Sequence, residues 1–234
     1  MQSQGEEGRK NPCAVHDQLW RGPIFGISSN LPVHSNFYPF LFSSINTNFG
    51  SKFLSQGTGI VLNNEMDDFS TPGRSNKFGV SPSSSNYIVP GKRPLSSMSP
   101  TMVFHRSAFQ DNSLGRLFMV LGSSGGPKII TSVLQVLINH AWLGMPLYSA
   151  VAHARIHDQL LYHGNLVTLY DQCPLLQGPT IEVAERTRKA LERRGHSLLP
   201  VDYLGTTQAI SVDFETDLLT AVSDPRKGGI PAGY

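Results

Sequence analysis

A chain of 234 residues with a hydrophobic fraction of 39% can bury a core as one domain and leaves little material for a second. Its formal net charge of +2, with no segment rich in Lys and Arg, excludes a nucleic-acid partner held through a basic face. Two cysteines, Cys13 and Cys173, exclude a cysteine-built zinc site, and no run of about 18 apolar residues offers a membrane-spanning helix.

Residues 1–43 begin with Glu6, Glu7, Arg9 and Lys10, where a secretory leader would be apolar, and continue without periodicity through Pro12, Pro23, Pro32 and Pro39. They are expected to be irregular and to stand apart from a single domain over 44–234. From Asn46 the pattern becomes orderly. Apolar, β-prone runs at 59–62, 102–104 and 117–121 predict strands. The polar stretch 70–99, punctuated by Pro72, Gly73, Pro82, Pro90 and Gly91, predicts an ordered but irregular loop.

Pro127 is placed to open a helix. Ile129, Ile130, Val133, Leu134, Leu137 and Ile138 make that helix apolar around much of its circumference, which predicts burial. A second helix is expected from Thr180 as N-cap, with Glu182 and Glu185 in its first turns, Arg193 and Arg194 in its last, and Gly195 as its stop. Val183, Thr187 and Leu191 would form its inner stripe. Strand-like runs at 196–201, 208–213 and 218–223 complete an α+β pattern.

Three segments carry chemistry. Glu65 and Asp68 place two carboxylates in one turn, fit to hold an ammonium group, coordinate a hard cation or share a proton, and equally fit to be a solvated acidic turn. Ser96 and Ser97 present adjacent hydroxyls between Pro94 and Pro100, enough to donate to a carboxylate, though a plain serine-rich loop reads the same way. In the third segment a strand runs through Gly122, Gly125 and Gly126 into a helix, and backbone N–H groups at such a junction suit an anionic oxygen. The phosphate-binding spacing Gly-x4-Gly-Lys-Ser/Thr is absent, and a tight turn before a helix is the plainer alternative. His153 and His157 would share one face of a helix, but without the glutamate of a His-Glu-x-x-His site they read as surface or packing residues. No Gly-x-Ser-x-Gly elbow supports a serine triad.

Taken in order, Asn46-Thr-Asn-Phe-Gly50, 62–69, 92–101, 122–130 and the ending Ser223-Asp-Pro-Arg226 with Ala232-Gly-Tyr234 resemble the small subunit of γ-glutamyltransferases (glutathione hydrolases) over residues 44–234. The resemblance implies an N-terminal-nucleophile hydrolase fold, an α-β-β-α sandwich of four layers of which this chain supplies part, and a precursor cut into large and small subunits. It implies cleavage of the γ-glutamyl amide of glutathione through an acyl-enzyme that is passed to water or to an acceptor amino acid or dipeptide, with no cofactor or metal. Glutathione, other γ-glutamyl compounds and the large subunit are the implied partners. The implied location is extracellular, plasma-membrane-anchored or vacuolar.

By the same resemblance Asn46, Glu65 and Asp68 hold the substrate ammonium, Ser96 and Ser97 its carboxylate, and the Gly125 and Gly126 amides the reacting oxygen. Ser44 stands where the family commonly has a threonine bonded to the nucleophile. Ser124 and Lys128 depart from the commoner residues around the glycine pair. The nucleophile itself, a threonine upstream of Ser44, has no counterpart, because the first threonine of the chain is Thr47, inside the Asn46–Gly50 motif. By itself the chain is therefore expected to be inactive, and its alternative reading is a γ-glutamyl-binding module or partner of a full-length relative. A related acylase would leave the carboxylate and serine pairs without a use.

Overall fold

The computed structural model describes residues 44–106, 114–175 and 178–233. The expectation for 1–43 lies outside the described residues. Within them the chain runs β1 (Thr101–Arg106), β2 (Leu114–Ser124), α1 (Lys128–Leu137), α2 (Leu147–Ala152), β3 (Ile156–Asp158), β4 (Thr168–Cys173), β5 (Ile181–Glu182), α3 (Glu185–Glu192), β6 (Leu198–Val201), β7 (Thr206–Val212) and β8 (Leu219–Val222). One antiparallel sheet has the order β1-β2-β7-β8. In the other, β4 pairs antiparallel with β3 and β5 and parallel with β6.

Burial follows the two-residue period along β7, whereas residues 119–122 of β2 are buried without a break. Met119 and Leu121 of β2 oppose Ser211 and Ala209 of β7, and these side chains face α1 and α2. There they meet Val133 and Val136 of α1 and Leu147, Ala150 and Val151 of α2 in one apolar cluster. Gln208, Ile210 and Val212, the alternate residues of β7, are only half-buried, so the other face of this sheet is less covered.

The strands expected at 102–104, 117–121, 196–201, 208–213 and 218–223 coincide with β1, β2, β6, β7 and β8. Three expectations are corrected. Residues 59–62 make an isolated bridge, Leu54 to Val61, and no strand. The third helix starts at Glu185, because Ile181 and Glu182 are drawn into extended pairing with Cys173 and Gln172, which moves the start past the Thr180 cap. The third correction concerns α1 and the π-helical turn Ile138–Trp142 that continues it, which are buried on one face only: Ile130, Leu134, Ile138 and Trp142, spaced four apart, stay exposed, Trp142 by 85%. Four-residue spacing keeps them on one side of the helix, and nothing among the described residues covers that side.

A buried ionic cluster ties the two sheets together. Arg226 Nη2 lies 2.6 Å from Asp171 Oδ2 of β4, Arg226 Nη1 lies 3.0 Å from Asp224 Oδ1, and Arg155 Nη2 lies 2.8 Å from Asp224 Oδ2. All four side chains are buried. The remaining carboxylate lone pairs accept backbone N–H bonds from Arg155, Leu204, Thr207 and Arg226. Both carboxylates are thus fully paired, which makes their burial tolerable, while among the described residues Arg155 Nε and Arg226 Nε are buried without a hydrogen-bond partner.

Candidate active-site cavity

The first wall of the site is a turn locked by Asn64. Asn64 Oδ1 accepts from the Thr47 amide (3.1 Å) and from the Thr47 hydroxyl (3.0 Å), and Asn46 Nδ2 donates to Asn64 O (3.0 Å). Asn46 adopts a left-handed φ of 66° and its amide donates to Ser44 Oγ at 2.9 Å. A Cβ on Gly50 would lie 2.4 Å from Leu62 O, so only glycine allows the turn to close on the acidic segment. That segment is a 3-10 turn, Glu65–Asp68. Burial, and after it the neighbouring Glu65 carboxyl, push Asp68 up to about 6. Among the described residues Glu65 Oε1 is itself buried without a hydrogen-bond partner.

Asn86, which the sequence did not single out, joins this wall to the serine pair. Its Nδ2 donates to Asp68 O (2.7 Å) and its Oδ1 accepts from Leu95 N (2.9 Å), directly before Ser96 and Ser97. Ser96 Oγ accepts from Met98 N, which fixes the loop conformation, and Ser97 is half-buried.

The third wall is the turn from β2 into α1. Gly125 (φ 140°) and Gly126 (φ 63°) hold backbone angles that side chains strain to adopt. Neither amide has a hydrogen-bond partner among the described residues, and each is free to donate to a ligand. Around them Ser124 Oγ receives Lys227 Nζ at 2.8 Å and contacts Thr206 Oγ1 at 2.9 Å, while Lys128 Nζ donates to Tyr203 O at 3.2 Å. Burial pushes the Lys128 ammonium down from its ordinary value.

These walls enclose one cavity of about 980 Å³, lined by Ser44, Asn46, Asp68, Ser96, Ser97, Gly125 and Gly126 together. Glu65 is the one candidate residue outside the lining, set behind Asp68. Lys128, Tyr203, Thr206, Arg226 and Lys227 also reach the cavity, and except for Lys128 and Arg226 no sequence signal marked them. The cavity thus offers a carboxyl group, hydroxyls, cationic groups and two unpaired amides, a set suited to a zwitterion with a further carbonyl. The two histidines separate: His153 follows α2 and His157 lies in β3, so they share no helix face.

A methyl group at Gly125 would sit 2.7 Å from the Gly205 Cα, backbone against backbone, whereas one at Gly57 meets nothing within 4 Å. In urea unfolding Gly125→Ala is expected to lose about 1–3 kcal/mol, and Gly57→Ala to stay within about 0.5 kcal/mol of the parent.

A γ-glutamyltranspeptidase family profile matches residues 41–234. The chain belongs to the γ-glutamyltranspeptidase family. Glutathione hydrolase 2 of Arabidopsis thaliana is 41% identical over 201 residues, covering 82% of this chain and 32% of that protein. Glutathione hydrolase proenzyme 1 of Schizosaccharomyces pombe is 40% identical over 198 residues, covering 83% of this chain and 28% of that protein. The solved γ-glutamyltranspeptidase from Pseudomonas nitroreducens complexed with L-DON superposes with a TM-score of 0.64 at 38% identity, over 84% of this chain and 92% of that one. The fold of this family member is accordingly the α+β fold of the N-terminal-nucleophile hydrolases. The chain spans about a third of the length of the curated relatives it matches, 32% and 28%.

Proposed function

We propose that this chain forms the γ-glutamyl-recognising part of a glutathione hydrolase or γ-glutamyltransferase. The convergence of Ser44, Asn46, Asp68, Ser96, Ser97, Gly125 and Gly126 on one cavity carries the reading. Asn46 and Asp68, backed by Glu65, receive the α-ammonium of the γ-glutamyl group, and Ser96 and Ser97 donate to its α-carboxylate. The Gly125 and Gly126 amides face the γ-carbonyl oxygen, whose charge grows when a nucleophile attacks. Acyl transfer to water, amino acids or dipeptides, and assembly with the large subunit of the same precursor, complete the function proposed for the whole protein. Relatives named as proenzymes support the two-subunit reading.

Two parts of that site have no residue in this sequence: an arginine from the large subunit for the substrate carboxylate, and the attacking threonine. Thr47 is the first threonine in the sequence, and its hydroxyl is held by Gly50 O (3.0 Å) and Asn64 Oδ1 (3.0 Å). A hydroxyl so engaged inside a turn does not serve as a chain-terminal nucleophile. Calorimetry of the 234-residue chain is therefore expected to show glutathione and L-glutamate binding at one site, with no release of cysteinylglycine on prolonged incubation. A folded chain that binds neither ligand would overturn the reading. Product release abolished by Gly125→Ala would overturn the assignment of an absent nucleophile.

A further inference from the structure

Outside the cavity, a polar chain centred on the buried His157 runs from α1 through β3 to the loop that roofs Gly126. We propose that His157 and Gln159 are positioning residues that fix the Gly126 amide through Phe78, a proposal that rests on the reading of that amide as a carbonyl-oxygen donor. Neither residue lines the cavity, whereas Phe78 and Gly126 do.

The contact between Phe78 and Gly126 is direct. A Cβ on Gly126 would lie 2.5 Å from the Phe78 ring, so the ring rests against the glycine itself. Phe78 sits in a tight turn: its amide and that of Val80 both donate to Asn76 Oδ1, at 2.9 and 3.0 Å. The turn is held from its far side by Gln159 Nε2, which donates to Phe78 O (3.4 Å) and Leu161 O (3.1 Å), and by His163 N, which donates to Gly79 O (3.0 Å).

Those two carbonyls settle which way the Gln159 amide points. With Nε2 donating to them, Oε1 must accept, and its donor is His157 Nε2 at 2.9 Å. The opposite ring nitrogen, Nδ1, lies 2.8 Å from Thr131 Oγ1 in α1. Burial pushes the His157 imidazole below its ordinary value and favours the neutral ring, Gln159 Oε1 places its proton on Nε2, and the single Thr131 hydroxyl proton goes to Nδ1 at 2.8 Å rather than to Lys128 O at 3.2 Å. Thr131 belongs to the helix that begins just after Gly126 and Pro127, so the path closes on itself: Gly126, α1, Thr131, His157, Gln159, Phe78 and back to Gly126. Gln135 secures the crossing, exchanging hydrogen bonds with Ile156 O (2.8 Å) and Ile156 N (3.0 Å). A closed loop of hydrogen bonds completed by one ring contact holds a donor in place more tightly than packing alone. Such fixity is what makes an oxygen-stabilising amide effective.

A pair of ligands isolates the effect. L-Glutamine carries the γ-carbonyl, while L-norvaline has the same five-carbon skeleton, α-ammonium and α-carboxylate without it. Calorimetry on Gln159→Ala and His157→Ala is expected to show L-glutamine affinity about five- to tenfold lower, with norvaline affinity unchanged. His157→Gln, which keeps a donor toward Gln159 Oε1, is expected to recover most of the loss. Phe78→Leu, which removes the ring from Gly126, gives the same readout should Gln159→Ala not fold by circular dichroism. Equal weakening of both ligands, or no change in either, overturns the positioning role while leaving the functional reading intact. A parent chain that binds neither ligand overturns both.

Discussion

Asp224→Ala is expected to remove about 3–5 kcal/mol of folding stability, a large part of what holds the chain folded. The Asp224 side chain is fully buried and accepts from Arg155 Nη2 (2.8 Å), Arg226 Nη1 (3.0 Å), the Thr207 amide (2.9 Å) and the Arg226 amide (3.0 Å). Deleting it leaves the buried Arg155 guanidinium with only the carbonyls of Val151 and Gly205 and no carboxylate, while Arg226 keeps Asp171. Removing one partner of a buried pair costs about 3–5 kcal/mol, against a total of about 5–15 kcal/mol for a domain. Urea unfolding at neutral pH measures the loss. The Glu185–Lys189 pair on α3 supplies the contrast, because both side chains are more than half exposed and their separation should cost well under about 1 kcal/mol. Burial by itself would raise the Asp224 carboxyl, but the Arg155 and Arg226 charges outweigh it and hold the group below the usual carboxylate range. A depressed folded-state value means that its contribution is present above the ordinary carboxylate pKa and is lost as pH falls through the folded one. Acid unfolding of the parent should therefore begin only below that ordinary value, and Asp224→Asn should remove much of this acid-limb dependence.

The sequence exposed those parts of the site whose residue type is dictated locally. Gly125 and Gly126 are legible because their positive φ and close neighbours admit little else, and the strand-to-helix junction locates them. Likewise β2 announces itself through consecutive apolar residues buried on both faces, Met119, Val120 and Leu121. What stayed hidden depends on partners distant in the chain. Asp171 and Thr168 make β4 look unlike a buried strand, yet Asp171 is there to meet Arg226, and that need is invisible until the sheets are side by side. Asn86 is one polar residue among several serines, and only the folded loop shows it spanning Asp68 and Leu95. The Thr180 cap fails for a related reason: pairing of Ile181 and Glu182 with β4 outweighs a local capping preference. The apolar girth of α1 was legible but its meaning was not. Ile130, Leu134, Ile138 and Trp142 share one uncovered face, a surface expected of a chain about a third the length of its relatives.

Binding of a γ-glutamyl ligand is expected to strengthen as pH rises toward 6 and to level off above it, with Asp68 as the cause. In the empty cavity Asp68 keeps its proton up to about 6, because burial and the Glu65 carboxyl both disfavour its charge. A bound ammonium reverses that balance and favours the carboxylate, so below this value binding must expel the proton. Affinity measured by calorimetry should then fall by up to about tenfold per pH unit on the acid side. Asp68→Asn should flatten this dependence and weaken glutathione binding at neutral pH by about a hundredfold, within the range for deleting one partner of a desolvated charge pair. The same substitution should act oppositely on the empty protein. A carboxyl whose folded value is raised holds its proton longer folded than unfolded, so its ionisation between the ordinary value and 6 removes stability. Asp68→Asn is thus expected to melt higher than the parent at neutral pH without ligand. Gained stability with lost binding would mark Asp68 as a group kept for its ligand. Lower stability with an unchanged pH profile would make it a support for the Asn86 bridge instead.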